Sequence, residues 1–123
     1  MSIEDALHGL HSIFKCHLAA SDVAAIIIEV VQGEGGFNVT PNEFLRALRQ
    51  LADEHGIVLI FDEIQSGFAR SGKLFATEWT GVEPDLMTIA KSLAGGFPLS
   101  GRSGQRRYYE CTCSGWSGWY LCR

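Results

Sequence analysis

Two short, almost wholly apolar runs, Val23–Ile28 and Ile57–Phe61, flank a segment that starts and stops like a helix. Runs of this length, rich in β-branched residues, suit strands covered on both faces of a sheet. Between them, Thr40-Pro41-Asn42-Glu43 combines a capping hydroxyl, a proline suited to the first helical position, and an acid three residues after the cap. Phe44, Leu45, Leu48, Leu51 and Ala52 make one apolar stripe, and Gly56 supplies the stop. Strand, helix and strand predict a βαβ unit, with parallel strands and a right-handed crossover. The fold class is therefore α/β.

The same reasoning extends the pattern in both directions. Ile3, Leu7, Leu10, Ile13, Phe14 and Leu18 recur at helical spacing over residues 3–18, with Ser2 and Asp5 placed as a capping box. A short helix around Leu74–Trp79, closed by Gly81, leads past Pro84-Asp85 to a third strand, Leu86–Ala90. A chain of 123 residues has enough interior for one core. Its longest apolar run, Val23–Ile28, is far short of the roughly 20 residues a membrane helix needs. A net charge of −4 leaves no basic footprint for nucleic acid. Glu4 and Asp5 stand where a secretory leader would be basic and then apolar, which points to the cytoplasm.

The chain changes character near Gly101. Residues 1–100 carry a net −7, whereas residues 101–123 carry +3 from Arg102, Arg106, Arg107 and Arg123 against Glu110. Three of the four cysteines, Cys111, Cys113 and Cys122, lie in this tail, as do Trp116 and Trp119. No apolar period survives there, and the cysteine spacing fits no standard zinc pattern, so no metal site is expected and the tail reads as unstructured.

Polar groups then mark the strand ends. Glu29, Asp62 and Lys91 each follow a predicted buried strand, at the carboxyl edge where open α/β sheets bind ligands. Each has a plainer use: Glu29 could bond the backbone of the Gly-rich loop, Asp62 or Glu63 could cap a helix, and Lys91 could be solvated. Together, two acids and a lysine on three strand ends suit pyridoxal 5′-phosphate. A lysine amine condenses with its aldehyde, and a carboxylate keeps its pyridine nitrogen protonated. Lys91 and Asp62 fit those two roles.

The wording of four segments is more specific. Ile27-Ile28-Glu29, Gln32-Gly33-Glu34-Gly35-Gly36-Phe37, Phe61–Gly72 and Ala90–Leu99 together resemble the class III aminotransferases over residues 1–101. The resemblance implies part of the large cofactor-binding domain of a fold-type-I transferase, with a mostly parallel sheet. It implies that Lys91 is the catalytic and cofactor-bearing lysine, that Asp62 binds the pyridinium, and that Gln65 approaches the ring hydroxyl. Glu29 corresponds to a substrate-site acid that pairs with a downstream arginine. The implied partners are a small-molecule amino donor and a 2-oxo acid, in a homodimeric parent enzyme. The run Val31–Phe37 and the wording Lys91–Leu99 lean toward 4-aminobutyrate plus 2-oxoglutarate, giving succinate semialdehyde and glutamate. Acetylornithine and ornithine enzymes share much of this, and an inert truncated product is the non-catalytic alternative.

There are departures. Val30 stands where the family has a proline, which predicts a looser exit from the first strand. The phosphate-cradling loop, the aromatic that stacks on the ring, the substrate arginine and the small domain have no counterpart in residues 1–101. With so few strands, apolar area should lie exposed, and the 123-residue chain alone should not turn over. Past Gly101 the family continues toward Gly-Thr-Tyr-Ala-Gly. Back-translated and read one base later, Trp119–Arg123 admits that pentapeptide, and Tyr108–Cys113 admits the family-like Ile-Met-Asn-Ala-Pro-Ala. Residues 102–123 therefore read as a non-homologous, frameshifted tail.

Overall fold

Ser2 opens the first helix by the reciprocal bonding its sequence predicts. In the computed structural model, which describes residues 2–108, Ser2 Oγ accepts the Asp5 N–H at 3.0 Å and Asp5 Oδ2 accepts the Ser2 N–H at 2.9 Å. Helix α1 spans Ile3–Cys16, ending two residues before the predicted limit because the N–H groups of His17 and Leu18 both turn back to Ile13 O. It lies over the core through Leu10 and Phe14, which are only partly buried.

Strand β1 (Ala25–Glu29), helix α2 (Asn42–His55) and strand β2 (Val58–Asp62) form the βαβ unit. The strands are parallel, with Ile28 opposite Phe61 and Glu29 opposite Asp62. Helix α2 buries Leu45, Leu48, Leu51 and Ala52 against Leu59 and Phe61, forming the core. Each such leucine contributes about 1.5–3 kcal/mol by leaving water. Gly56 ends the helix in the left-handed region at φ +69°. The start differs from expectation. Pro41, not Thr40, is the N-cap residue, and Phe44 and Leu45 donate to its carbonyl. The Thr40 hydroxyl donates instead to Glu29 O at 2.9 Å, spending its hydrogen bond on the end of β1.

That tie corrects a second expectation. The exit from β1 is held by Thr40 N–H donating to Val30 O at 2.9 Å, by a bridge between Val31 and Val39, and by burial of Val30. Valine supplies here the fixed path that a proline would otherwise impose.

Strand β3 (Leu86–Ile89) pairs parallel to β2, and strand β4 (Gly101–Gly104) pairs antiparallel to β3, giving the order β1-β2-β3-β4. The predicted helix at Leu74–Trp79 is only a 3₁₀ turn, Ala76–Trp79, since Phe75 is extended and its N–H is taken by Glu78 Oε1. Covering of β1 on both faces is not found. It pairs with β2 alone, and Ile27 is 60% exposed. Phe37, Val39, Phe97 and Leu99 are also exposed, as expected for a sheet with few covering elements.

The compositional seam at Gly101 is not a structural break among the described residues. Backbone pairing needs no apolar pattern, so Gly101-Arg102-Ser103-Gly104 joins the sheet, and Arg107 and Tyr108 reach back to Asp85. The rest of the proposed tail, Cys111, Cys113 and Cys122 included, lies outside the described residues. No described helix is long and apolar enough to cross a membrane.

Candidate active site

Parallel pairing places the strand ends side by side. Glu29 and Asp62 are register partners, Asp62 faces Thr88 on its other side, and Lys91 follows β3 by two residues. At this carboxyl edge, Glu29, Glu34, Asp62, Ile64, Gln65 and Lys91 line one small cleft of about 140 Å³. All of the residues singled out from the sequence, Glu29, Asp62, Gln65 and Lys91, meet there.

The local chemistry of each is defined. Glu29 Oε2 accepts the Gly33 N–H at 2.8 Å, the plainer use foreseen for it, which folds the Gly-rich loop over the cleft. Gly33 is required: a Cβ at that position would stand 2.5 Å from Gln65 Cγ. Asp62 Oδ1 accepts the Ile64 N–H at 2.9 Å, fixing the carboxylate as the chain turns out of β2. Lys91 Nζ donates to Gln65 Oε1. Its backbone is strained, at φ +49°, where a non-glycine residue costs about 1–3 kcal/mol. This kink turns the chain from β3 into the 3₁₀ turn Lys91–Ala94 and leaves the Lys91 side chain exposed at the mouth of the cleft. Against Lys91 the lining sets the carboxylates of Glu29, Glu34 and Asp62, so the cleft favours cationic groups.

Three acids matter beyond the sequence reading. Glu34 joins the lining from the Gly-rich loop. Glu63 is completely buried and accepts from Ser66 Oγ at 2.5 Å, Ala76 N at 3.1 Å, Thr77 N at 2.7 Å and Thr77 Oγ1 at 2.6 Å. Asp85 is buried before β3, accepting from Leu59 N, Arg49, Arg107 and Tyr108. Burial pushes the Asp85 carboxyl up, but the Leu59 N–H, the Arg49 guanidinium and the Tyr108 hydroxyl outweigh it and hold it below the usual range. Only the Asp-Glu pair at 62–63 signalled one of these; the long-range donors of Asp85 left no mark in the sequence. A larger, mainly apolar cleft of about 560 Å³ adjoins the site, sharing Gln65 and running past Gly33, Phe37 and Trp79.

Comparison with known proteins decides the family. The sequence profile described as aminotransferase class-III matches residues 2–119. The chain belongs to the class III aminotransferases. It is 52% identical over 118 residues to 4-aminobutyrate aminotransferase GabT of Escherichia coli (strain K12), covering 96% of this chain but 28% of that protein. It is 59% identical over 78 residues to an acetylornithine aminotransferase of Mesorhizobium japonicum, covering 63% of this chain and 20% of the relative. Among solved structures, a transaminase from the marine bacterium Virgibacillus superposes with a TM-score of 0.81 at 34% identity, covering 89% of this chain and 25% of that one. The class III chain thus spans about a quarter of the length of such relatives. Its mixed sheet is part of the fold shared by these transferases, and the family depends on pyridoxal 5′-phosphate.

Proposed function

We propose that the parent enzyme transfers the amino group of an ω-amino acid to a 2-oxo acid, with Lys91 as the catalytic, cofactor-bearing amine. The observation that carries this reading is the convergence of Lys91, Asp62, Gln65 and Glu29 on one cleft. The donor set fits pyridoxal 5′-phosphate: a primary amine for its aldehyde, a carboxylate for its pyridinium and an amide for its ring hydroxyl. When bound, that group supplies a ring able to take up an electron pair from a substrate carbon. Asp62, held by the Ile64 N–H, keeps a proton on the ring nitrogen. Lys91 Nζ would take the proton from the substrate carbon and deliver it to the cofactor, acting as base and then acid. Gln65 orients that amine. Glu29 shapes the substrate end through its hold on the Gly33 loop.

For the donor, 4-aminobutyrate with 2-oxoglutarate is preferred, supported by identity to the Escherichia coli relative across nearly the whole chain. A second reading, N-acetylornithine, draws on the higher identity of the acetylornithine relatives over shorter stretches. The test is a chimera in which residues 2–101 replace the matching segment of the Escherichia coli enzyme. Glutamate formation from 4-aminobutyrate, abolished by Lys91→Ala, supports the first reading. Turnover with N-acetylornithine in its place supports the second, and no turnover with either donor refutes both.

The 123-residue chain alone is expected to be inactive, since most of the relatives' length has no counterpart in it. Residues 1–101 are assigned to the large cofactor-binding domain, residues 102–123 to a frameshifted tail, and the parent enzyme to a cytoplasmic homodimer. Nucleotide sequencing across codon 101 checks the tail: a single-base change that restores Gly-Thr-Tyr-Ala-Gly supports the frameshift, and an intact frame overturns it.

A further inference from the structure

Glu63 stands beside Asp62 but points away from the cleft, into the protein, where it is 0% exposed. A buried carboxylate is costly unless it is fully hydrogen-bonded. Here four donors satisfy it, and they come from two places. Ser66 Oγ donates from one side, while the Ala76 N–H and the Thr77 N–H and Oγ1 donate from the other. The carboxylate therefore closes the loop between residues 63 and 77 like a clasp. The Glu63 backbone adds two further ties. Its N–H donates to Thr88 O at 3.0 Å, three residues before Lys91, and its carbonyl accepts the Gly67 N–H at 2.9 Å. Gly67 is wound so tightly that a Cβ there would sit 2.7 Å from Glu63 O. The loop also holds Phe68 and Ala69 at φ +56° and +67°, conformations that persist only under constraint. Gln65 sits inside this closed turn, next to Ser66, with its Oε1 on Lys91 Nζ.

We infer that Glu63 is a positioning residue: its buried carboxylate, through Ser66, holds Gln65 in the place where its side-chain amide engages the Lys91 amine. The inference rests on the reading of Lys91 as the cofactor-bearing amine, but its structural half can be measured without cofactor. Removing support of this kind from behind a site residue costs on the order of 10- to 100-fold in function.

The experiment uses the 123-residue chain with Glu63→Gln and, as a gentler variant, Ser66→Ala, each with and without Gln65→Ala. The first readout is the side-chain amide signal of Gln65 in nitrogen-15 NMR spectra, with the backbone amides of Leu45 and Leu48 reporting the fold. The second is the equilibrium yield of pyridoxal 5′-phosphate adduct on Lys91, trapped with borohydride and located by peptide mass spectrometry. With the Leu45 and Leu48 signals unchanged, Ser66→Ala should move the Gln65 amide toward the position of a freely rotating amide. It should also lower the Lys91 adduct about tenfold, and that loss should vanish in the Gln65→Ala background. A Gln65 amide unmoved by Ser66→Ala, or an equal adduct loss with Gln65 already absent, overturns the inference, even if Glu63→Gln unfolds the chain. No preference for Lys91 in the wild-type chain refutes the cofactor reading instead, and leaves the NMR result to judge the clasp.

Discussion

Replacing Asp85 with alanine tests how the start of β3, and with it Lys91, is held. Asp85 is 2% exposed and accepts from Leu59 N at 2.8 Å, Arg49 Nη1 at 2.8 Å, Tyr108 Oη at 2.9 Å and Arg107 Nη2 at 3.0 Å. Its loss leaves the buried Leu59 N–H without an acceptor, a cost of about 1–3 kcal/mol. Arg49 keeps Asp53 at 2.7 Å but loses its buried partner. Arg107 is mostly exposed, so its pair adds little. The whole loss should be about 3–5 kcal/mol, the range for stripping one member from a buried ion pair. With a urea slope of about 1–3 kcal/mol per molar, the midpoint should fall by more than about 1 M.

The pH dependence has a definite sign. Because the folded carboxyl lies below its ordinary value, its contribution is complete above the unfolded value of about 3.9. It is lost as the pH falls through the folded value. Urea curves of wild type and Asp85→Ala should therefore stand furthest apart at neutral pH and draw closer in acid. A loss below about 1 kcal/mol at neutral pH, or a gap that does not narrow in acid, would refute the reasoning.

Two further substitutions probe the site loop and the open edge. Gly33→Ala places a methyl group against Gln65 Cγ, so it should reduce the Lys91 adduct on the order of tenfold while leaving the urea midpoint nearly unchanged. An unaltered adduct yield would show that the loop gives way freely. Ile27→Lys puts a charge on the exposed face of the edge strand, so stability should change by no more than about 0.5 kcal/mol. Light scattering should show less self-association, and unchanged association would mean that this face is not what draws copies together.

The parts legible in the sequence were those encoded locally. The Ser2–Asp5 box, the Gly56 stop and the paired apolar runs each depend on neighbours within a few residues, and they predicted α1, α2 and the parallel β1–β2 pair. Thr40 is ambiguous in the sequence because a hydroxyl before Pro41 has two acceptable uses, and only the folded end of β1 selects the bond to Glu29 O. The sequence of β1 implies cover because the pattern of a buried strand is apolar on both faces whether or not neighbours arrive. β4 leaves no trace in the sequence, since Gly101–Gly104 pairs with β3 through its backbone without needing an apolar pattern. Of the site, the acids and the lysine at strand ends were visible by position. The supporting roles of Glu63 and Asp85 were not, because their donors lie up to 14 and 36 residues away.

The central claim is that Lys91 is the amine prepared for the cofactor, and chemical trapping tests it most directly. The chain holds Lys15 and Lys73 as internal controls, and neither lines the cleft. The purified 123-residue chain is incubated with pyridoxal 5′-phosphate, reduced with borohydride, digested and mapped by mass spectrometry, with Asp62→Ala run in parallel. The adduct should concentrate on Lys91 by about an order of magnitude over Lys15 and Lys73, and that preference should collapse in Asp62→Ala. Equal labelling of the three lysines, or a Lys91 preference indifferent to Asp62, would contradict the account.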